Sequence, residues 1–523
     1  MKKKPDKKIM KIKINNLILP INERLTKEYI ADYLGIRADL ISGFGIIKQS
    51  VDARRKNNIR FVYSLTADII GNPVFKCGAD LTELKTTPEK KIYAFKKYTH
   101  PPIITGYGPA GIFCGYILAK YGYNPVIIER GKNIDERLFD VEKFFKGGNL
   151  NSESNIQFGE GGAGTFSDGK LTTRINDERC SFVLKTLNKF GAPDDILYAA
   201  KPHVGTDILK KIVKNIRLET ERLGGNILFE TRLEDIICKD KIYGIKTNRG
   251  DFPCEALVLA IGHSSRDTFK MLFKSGLYYE DKAFAVGVRI EHSQEFINRA
   301  QYGVAAGHPD LPAAEYYLKY NGEKRSCYSF CMCPGGEIVP AASEEKTVVT
   351  NGMSNHLRNG RYANSGIVVT VSANDFGNGK GISFQEKLER NAFIFGGENY
   401  SAPYQLCGDF FDDKKTTKQV YTTYSRGIEG CRLNELFPKY ICETLSEGLL
   451  HFNKKIPGFA DKNIPLIGVE SRTSSPVRFT RGDDLQSVST RGIYPCGEGA
   501  GYAGGIISAA VDGIKVAEKI MGN

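Results

Sequence analysis

The spacing of apolar residues divides this chain into stretches with a helical period and stretches that read as strands. Ile507, Ala510, Ile514, Ala517 and Ile520 recur at helical intervals, which predicts an amphipathic last helix over residues 506–521. Ile112, Tyr116 and Ala119 mark one face of a helix over 112–120, and the Tyr-Gly-Tyr-Asn-Pro run at 121–125 ends it. Short apolar runs at 103–104, 126–128 and 493–494 predict buried strands, and 207–223 reads as a long helix. Further strands are expected at 227–229, 233–238, 242–248, 284–291, 347–350 and 367–372. Near the start, a strand at 10–19, a helix at 26–34 and strands at 44–52 and 59–70 give a β-α-β-β order. That order suggests a small unit of ferredoxin-like type, followed by a lysine-rich linker at 85–97.

Two glycine-rich segments interrupt this pattern almost four hundred positions apart. The first, Ile103-Ile104-Thr105-Gly106-Tyr107-Gly108-Pro109-Ala110-Gly111, sits between an expected strand and an expected helix. Gly106 and Gly108 let the backbone turn tightly and approach a pyrophosphate. The helix opening at Pro109, Ala110 and Gly111 offers free N–H groups and the positive end of its dipole. Glu129 ends the 126–128 strand, 23 residues after Gly106, where a carboxylate can meet an adenosine ribose. Arg130 and Arg137 are candidates to reach ribose or phosphate oxygens. This segment fits NAD and FAD equally. The second segment, Gly497-Glu498-Gly499-Ala500-Gly501-Tyr502-Ala503-Gly504-Gly505-Ile506, brings another helix N-terminus late in the chain. It suits a long cofactor with a second polar end, since the pyrimidine oxygens of a flavin would meet those N–H groups; this favours FAD.

Together the motifs resemble the glutathione-reductase-type FAD family, whose pyrophosphate motif lies early and whose ribityl-contacting motif lies late. Ala256-Leu257-Val258-Leu259-Ala260-Ile261-Gly262 resembles that family's internal strand-and-turn motif, with Ile261 where threonine is usual. The resemblance implies cofactor contacts at Ala260 and Gly262, and at Leu233 beside the adenine. Glu498 resembles the acidic residue near the ribityl chain, where aspartate is usual. Other segments resemble a narrower group, the uncharacterised FAD-dependent dehydrogenases of many bacteria. They are Gly161-Gly162-Ala163-Gly164-Thr165-Phe166-Ser167-Asp168-Gly169-Lys170-Leu171, Lys201-Pro202-His203-Val204-Gly205-Thr206-Asp207, Cys331-Met332-Cys333-Pro334-Gly335-Gly336, Asn351-Gly352-Met353-Ser354 and Arg472-Thr473-Ser474-Ser475-Pro476-Val477-Arg478. By this resemblance Gly162, Ser167, Asp168, Gly169 and Lys170 contact the FAD, with the Lys170 charge near the flavin N1/O2 edge.

The expected fold is therefore α/β. A Rossmann-like three-layer FAD-binding domain of glutathione-reductase type spans residues 99–280 and 465–523. A β-rich substrate domain is inserted at 281–464, and the small α/β domain with its basic tail occupies 1–98. No second G-x-G-x-x-G marks a separate NAD(P)H domain, so NADH or NADPH would have to reach the flavin without one.

Composition narrows the function classes. The 523 residues are 41% hydrophobic and 25% charged, the balance of an ordinary globular protein. No apolar run approaches the roughly 18 residues of a membrane helix. Residues 1–13 carry seven lysines and one aspartate, +6 of the net +13. They lack the apolar core of a secretory signal, and a solvated tail is expected rather than nucleic-acid binding. Twelve scattered cysteines point to a reducing cytoplasm. The Cys327, Cys331, Cys333 cluster lacks a fourth ligand, so no metal site is expected; it reads as a glycine-rich loop near the flavin or as a redox thiol.

Candidates for chemistry are Lys170, His263, Cys331, Cys333, Arg472 and Arg478. Arg472, Arg478 and Arg481 either hold a substrate carboxylate or phosphate or pair with Glu470, Asp483 and Asp484. The expected activity is a two-electron (hydride) transfer at the flavin N5 on a small, anionic or conjugated molecule. Alternatives are an FAD-dependent C=C reductase of geranylgeranyl-reductase type and a non-catalytic flavoprotein that binds a partner or RNA.

Overall fold

The computed structural model describes residues 9–76, 80–83 and 96–522. Most of the basic tail and of the lysine-rich linker lies outside the described residues. The chain divides into two compact units. One holds residues 1–91 with 193–202 and 298–314, and the other holds 92–192, 203–297 and 315–523.

In the first unit, strand Arg60–Ile70 buries every second side chain, including Phe61, Tyr63, Leu65, Ala67 and Ile69. It pairs antiparallel with Ile9–Pro20 on one side and Ile41–Asp52 on the other. The short strand Leu81–Glu83 joins the far edge of Ile9–Pro20. With the first strand between the third and the fourth, the order matches a ferredoxin-like sheet. One helix, Lys27–Leu34, covers its apolar face through Ile30, Ala31 and Leu34. Thr26 caps that helix by accepting from the Tyr29 N–H at 3.2 Å, and Gly35 closes it in the left-handed region. Segments 193–202 and 298–314 also belong to this unit, which local patterning did not indicate.

The second unit is built on two large sheets. A five-stranded parallel sheet runs in the order Ile493–Pro495, Leu257–Leu259, Ile103–Thr105, Val126–Ile128, Asn226–Leu228. Numbered along the chain this is 5-4-1-2-3, the doubly wound order that opens a crevice at the carboxyl ends of its central strands. Helix Pro109–Lys120 packs on this sheet and against both Thr206–Arg222 and Ile506–Met521, and Thr206–Arg222 also meets the edge strand Asn226–Leu228. The other face carries the antiparallel meander Leu233–Cys238, Ile242–Thr247, Gly250–Pro253 and helix Arg266–Lys274, which share one core with Ile103, Leu257 and Leu259.

A seven-stranded sheet forms the second layer system. Its order is Lys319–Asn321, Ser326–Cys333, Tyr362–Val371, Phe284–Ser293, Pro465–Glu470, Ala402–Leu406, Ile428–Gly430, antiparallel except for the last pair. Three expectations change here. Strand Pro465–Glu470, placed by sequence in the C-terminal part of the cofactor domain, lies inside this sheet, so the join at 464/465 falls too early. The strands expected at 347–350 and 367–372 are Thr350–Ser354 and Tyr362–Val371. The insertion also carries two long helices, Gly381–Phe395 and Lys439–Lys455, whose amphipathic faces were not read as helical. No helix among the described residues is long and apolar enough to cross a membrane.

Candidate functional site

The first glycine turn sits at the mouth of the parallel sheet. Gly106 has φ 97°, and a Cβ there would lie 2.3 Å from the Ala260 carbonyl oxygen. A Cβ on Gly111 would lie 1.9 Å from the Gly106 carbonyl oxygen, so the helix starts in direct contact with its own turn. Helix Pro109–Lys120 has Gly108 as N-cap and no side-chain cap, which leaves its first N–H groups without a partner from that residue. They face a cavity of about 380 Å³, the candidate site.

Glu129 organises this end of the cavity. Its Oε2 accepts from the Tyr107 N–H at 2.8 Å, and its Oε1 accepts from Gly131 and Gly159 at 2.9 Å each. A carboxylate offers about four acceptor positions, so one remains for a ligand hydroxyl. Arg130 lines the cavity, but its guanidinium pairs with Glu153 and Asp267 at 2.8 Å and stacks over Phe158. Its charge is neutralised there rather than offered to a phosphate. Arg137 departs further from expectation, because it does not line the cavity. Fully buried, it donates to the backbone carbonyls of Asn155, Ile156, Glu160 and Gly162. Burial lowers its pKa to about 9, which leaves it charged at neutral pH. It shapes the 155–162 loop that backs the cofactor turn.

The middle wall gathers residues from far apart in sequence. Gly162, Ser167, Asp168, Gly169 and Lys170 line it, as do Leu233, Ala260, Gly262 and His263. Ser167 folds its hydroxyl onto the Gly164 carbonyl at 2.7 Å and accepts from the Gly169 N–H. Asp168 is clamped by the buried Arg358. The Lys170 ammonium donates to the Met332 carbonyl. His263 Nε2 lies 3.0 Å from the Arg472 carbonyl oxygen, which fixes its proton on that nitrogen. Burial and the Arg472 charge lower its pKa to about 4, so it is neutral at pH 7 and no general acid there.

The C-terminal segment closes the far end. Gly504, Gly505, Ile506 and Ala509 line the cavity, and helix Ile506–Met521 has Gly505 as N-cap without a side-chain cap. Glu498 also faces it, with its pKa raised by burial to about 7 against the opposing charge of Lys282. Gly497 lies behind, its N–H held by Asp512 at 2.7 Å, and is a support rather than part of the wall.

The arginine cluster is corrected on both of its alternatives. Arg472 reaches the wall, but its guanidinium is held by Glu389, Nη2 to Oε2 at 2.8 Å, and by the Ser343 hydroxyl. Arg481 pairs with Asp512 at 2.6 Å and lies over Tyr502. Arg478 is exposed, over the same ring and off the wall. The expected partner Glu470 instead pairs with the buried Arg289 at 2.7 Å. Cys331 lines the cavity, and Cys333 lies behind it.

Sequence reasoning missed Gln157, Ser264, Phe330, Asn351, Glu470 and Thr473 on the wall, and Arg289 and Glu389 behind it. One signal was available for Arg289, a charge inside the apolar run Phe284–Ser293. Among the described residues no group of three His, Cys, Asp or Glu side chains is arranged to hold a metal ion.

Comparison with known proteins adds a family context. Residues 283–473 match the family described as FAD-dependent protein, C-terminal domain-like. Residues 11–68 match a domain of unknown function. An uncharacterised protein of Clostridium beijerinckii is 51% identical over 526 residues, covering 98% of this chain and 99% of that one. Among solved structures, glycine oxidase from Geobacillus kaustophilus aligns over 81% of this chain and 95% of its own, at 12% identity and a TM-score of 0.35. A geranylgeranyl bacteriochlorophyll reductase-like protein from Thermoplasma acidophilum aligns over 80% and 78%, at 14% identity and 0.34. Likeness at this level says nothing of substrate.

Proposed function

The chain belongs to one family with the Clostridium beijerinckii protein and contains the C-terminal domain of FAD-dependent proteins; from this we propose that it is an FAD-dependent oxidoreductase. The observation that carries the reading is a single cavity with an uncapped helix N-terminus at each end, at Gly108-Pro109 and at Gly505-Ile506. One suits a pyrophosphate, and the other suits the electron-rich pyrimidine edge of a flavin. Between them Glu129 keeps an acceptor position for a ribose hydroxyl, and Leu233 gives an apolar contact for an adenine. When bound, FAD would supply two-electron chemistry at its N5.

The protein's own groups position and insulate. The neutral His263 and the paired Arg472 give the wall polar groups without a free charge, and Lys170 adds a cation to the same lining. Glu498, poised near neutrality, can hold or release a proton next to the bound cofactor. We place a small conjugated or anionic molecule against this wall as the substrate, with NADH or NADPH as the electron donor, reaching the cavity directly.

The test is the visible spectrum of the purified protein, followed by anaerobic titration with NADH and NADPH. The expected result is the two-band spectrum of oxidised flavin, bleached by one of the two donors. A colourless protein that also refuses added FAD overturns the reading.

A further inference from the structure

Strand Ser326–Cys333 does not run straight to its end. Its ladder with Tyr362–Val371 shifts register between Phe330 and Cys333, and Cys331 sits in the bulge with φ 45°. The shift presents Cys331 to the cavity and leaves Cys333 buried directly behind it. The Cys333 thiol donates to the Cys331 carbonyl at 3.4 Å, so its sulfur lies against the Cys331 main chain. Two cations hold the bulge through its carbonyls. Arg289 Nη1 donates to the Cys331 carbonyl at 3.3 Å, and the Lys170 ammonium donates to the Met332 carbonyl.

We infer that Cys331 and Cys333 form a dithiol–disulfide pair that exchanges two electrons with the flavin of this cavity, a conclusion that rests on the FAD reading given above. Strand residues two apart stand roughly 6–7 Å between Cα atoms, near the upper limit a disulfide spans, and a bulge shortens that distance. On oxidation two S–H bonds break and one S–S bond forms. The two electrons and two protons released are those that reduce one oxidised flavin; the reverse step returns them. Cys331 is the attacking thiol, because it faces the cavity, and Cys333 is the resolving thiol.

The electrostatics divide the two roles in the same way. Cys331 is the one described thiol whose pKa lies below its ordinary value, through the Cys333 thiol and then the Arg289 and Lys170 charges. Burial and the neighbouring Cys331 push Cys333 the other way. A low-pKa thiol that reaches a cavity and is backed by a protonated partner is the arrangement thiol–disulfide exchange uses. The remaining described cysteines, including the partly buried Cys180 and Cys238, have their pKa values raised by burial.

Two measurements on the full-length protein test this. In the first, FAD-free protein is equilibrated with oxidised glutathione, quenched in acid and alkylated with N-ethylmaleimide. The peptide carrying Cys331 and Cys333 should lose both alkyl groups together and two mass units, while C333S stops at a Cys331–glutathione mixed disulfide and C331S alkylates at Cys333. In the second, the oxidised, FAD-loaded protein is titrated anaerobically with dithionite. Wild type should take about four electrons per flavin, and C331S and C333S about two, each with its flavin spectrum intact beforehand. Full alkylation of both thiols in the oxidised sample, or two electrons per flavin in the wild type, overturns the pair while leaving FAD binding standing. A protein that never binds FAD sinks the flavin reading instead, and the mass measurement then reports on the disulfide alone.

Discussion

Glu389 holds Arg472 behind the cavity wall, Oε1 at 3.1 Å from Nε and Oε2 at 2.8 Å from Nη2, and all of these atoms are buried. The same carboxylate holds Arg266, at 2.7 and 2.8 Å, and accepts from the Ser471 hydroxyl at 2.7 Å. Two arginines therefore share this buried acid, with the less buried Glu344 as a second carboxylate 2.7 Å from Arg266 Nη1 and 3.9 Å from Arg472 Nη2. Removing one partner from a buried pair strands the others, typically at about 3–5 kcal/mol. Glu389→Ala should lower unfolding stability by that amount and Glu389→Gln by less, read from urea midpoints. The arginines lower the Glu389 pKa well below its ordinary carboxylate value. The stabilisation it brings is thus present above about pH 4.5 and is lost as pH falls further.

Arg137→Lys tests whether a charge or a fork is needed behind the turn. A lysine keeps the charge but cannot reach the four carbonyls that Arg137 holds between Asn155 and Gly162. The expected outcome is a folded protein, weaker by roughly 2–3 kcal/mol, whose FAD affinity falls at least about tenfold as the loop under Gly108 loosens. Fluorescence titration of FAD-free protein measures the affinity. Unchanged binding would show that Arg137 serves stability only.

How much of this was legible follows from how each feature is encoded. The cofactor turn was readable because most of its requirements are local: Gly106 has a positive φ, Gly111 meets the Gly106 carbonyl and Glu129 accepts from the Tyr107 N–H, all within one β-α-β unit. The last helix was readable from its apolar period alone. Arg137 and Arg472 looked like ligand-binding arginines because sequence shows a charge but not its partner. The partners, loop carbonyls for one and Glu389 for the other, are set by tertiary packing. Glu389 lies in helix Gly381–Phe395, 83 residues before Arg472, and no spacing rule links them. The boundary at 464/465 failed for a related reason. Strand Pro465–Glu470 pairs with Phe284–Ser293 across nearly two hundred residues, a contact invisible to local pattern.

Two glycines separate folding from cofactor binding. A Cβ at Gly106 collides with the Ala260 carbonyl and meets a positive φ, whereas a Cβ at Gly505, which lines the cavity, has nothing within 4 Å. Gly106→Ala should therefore destabilise the fold by several kcal/mol. Gly505→Leu should leave the thermal midpoint of FAD-free protein within a few degrees and lower FAD affinity by at least about tenfold. Equal loss of stability in both variants would deny that the second helix N-terminus faces the cofactor.

Glu498 gives the cavity a measurable pH dependence. Its pKa is about 7 in the folded protein against an ordinary 4.5, because burial disfavours the carboxylate more than Lys282 favours it. Between those two values the folded protein keeps a proton that the unfolded chain has released. Unfolding stability therefore falls as pH rises through this window, and the loss is complete above about pH 7. Glu498→Gln carries no such proton. In FAD-free protein, the stability of wild type relative to Glu498→Gln should drop by roughly 1–3 kcal/mol between pH 5 and pH 8. Urea unfolding of both proteins at the two pH values measures it. A difference that stays constant would mean that Glu498 is already ionised at neutral pH.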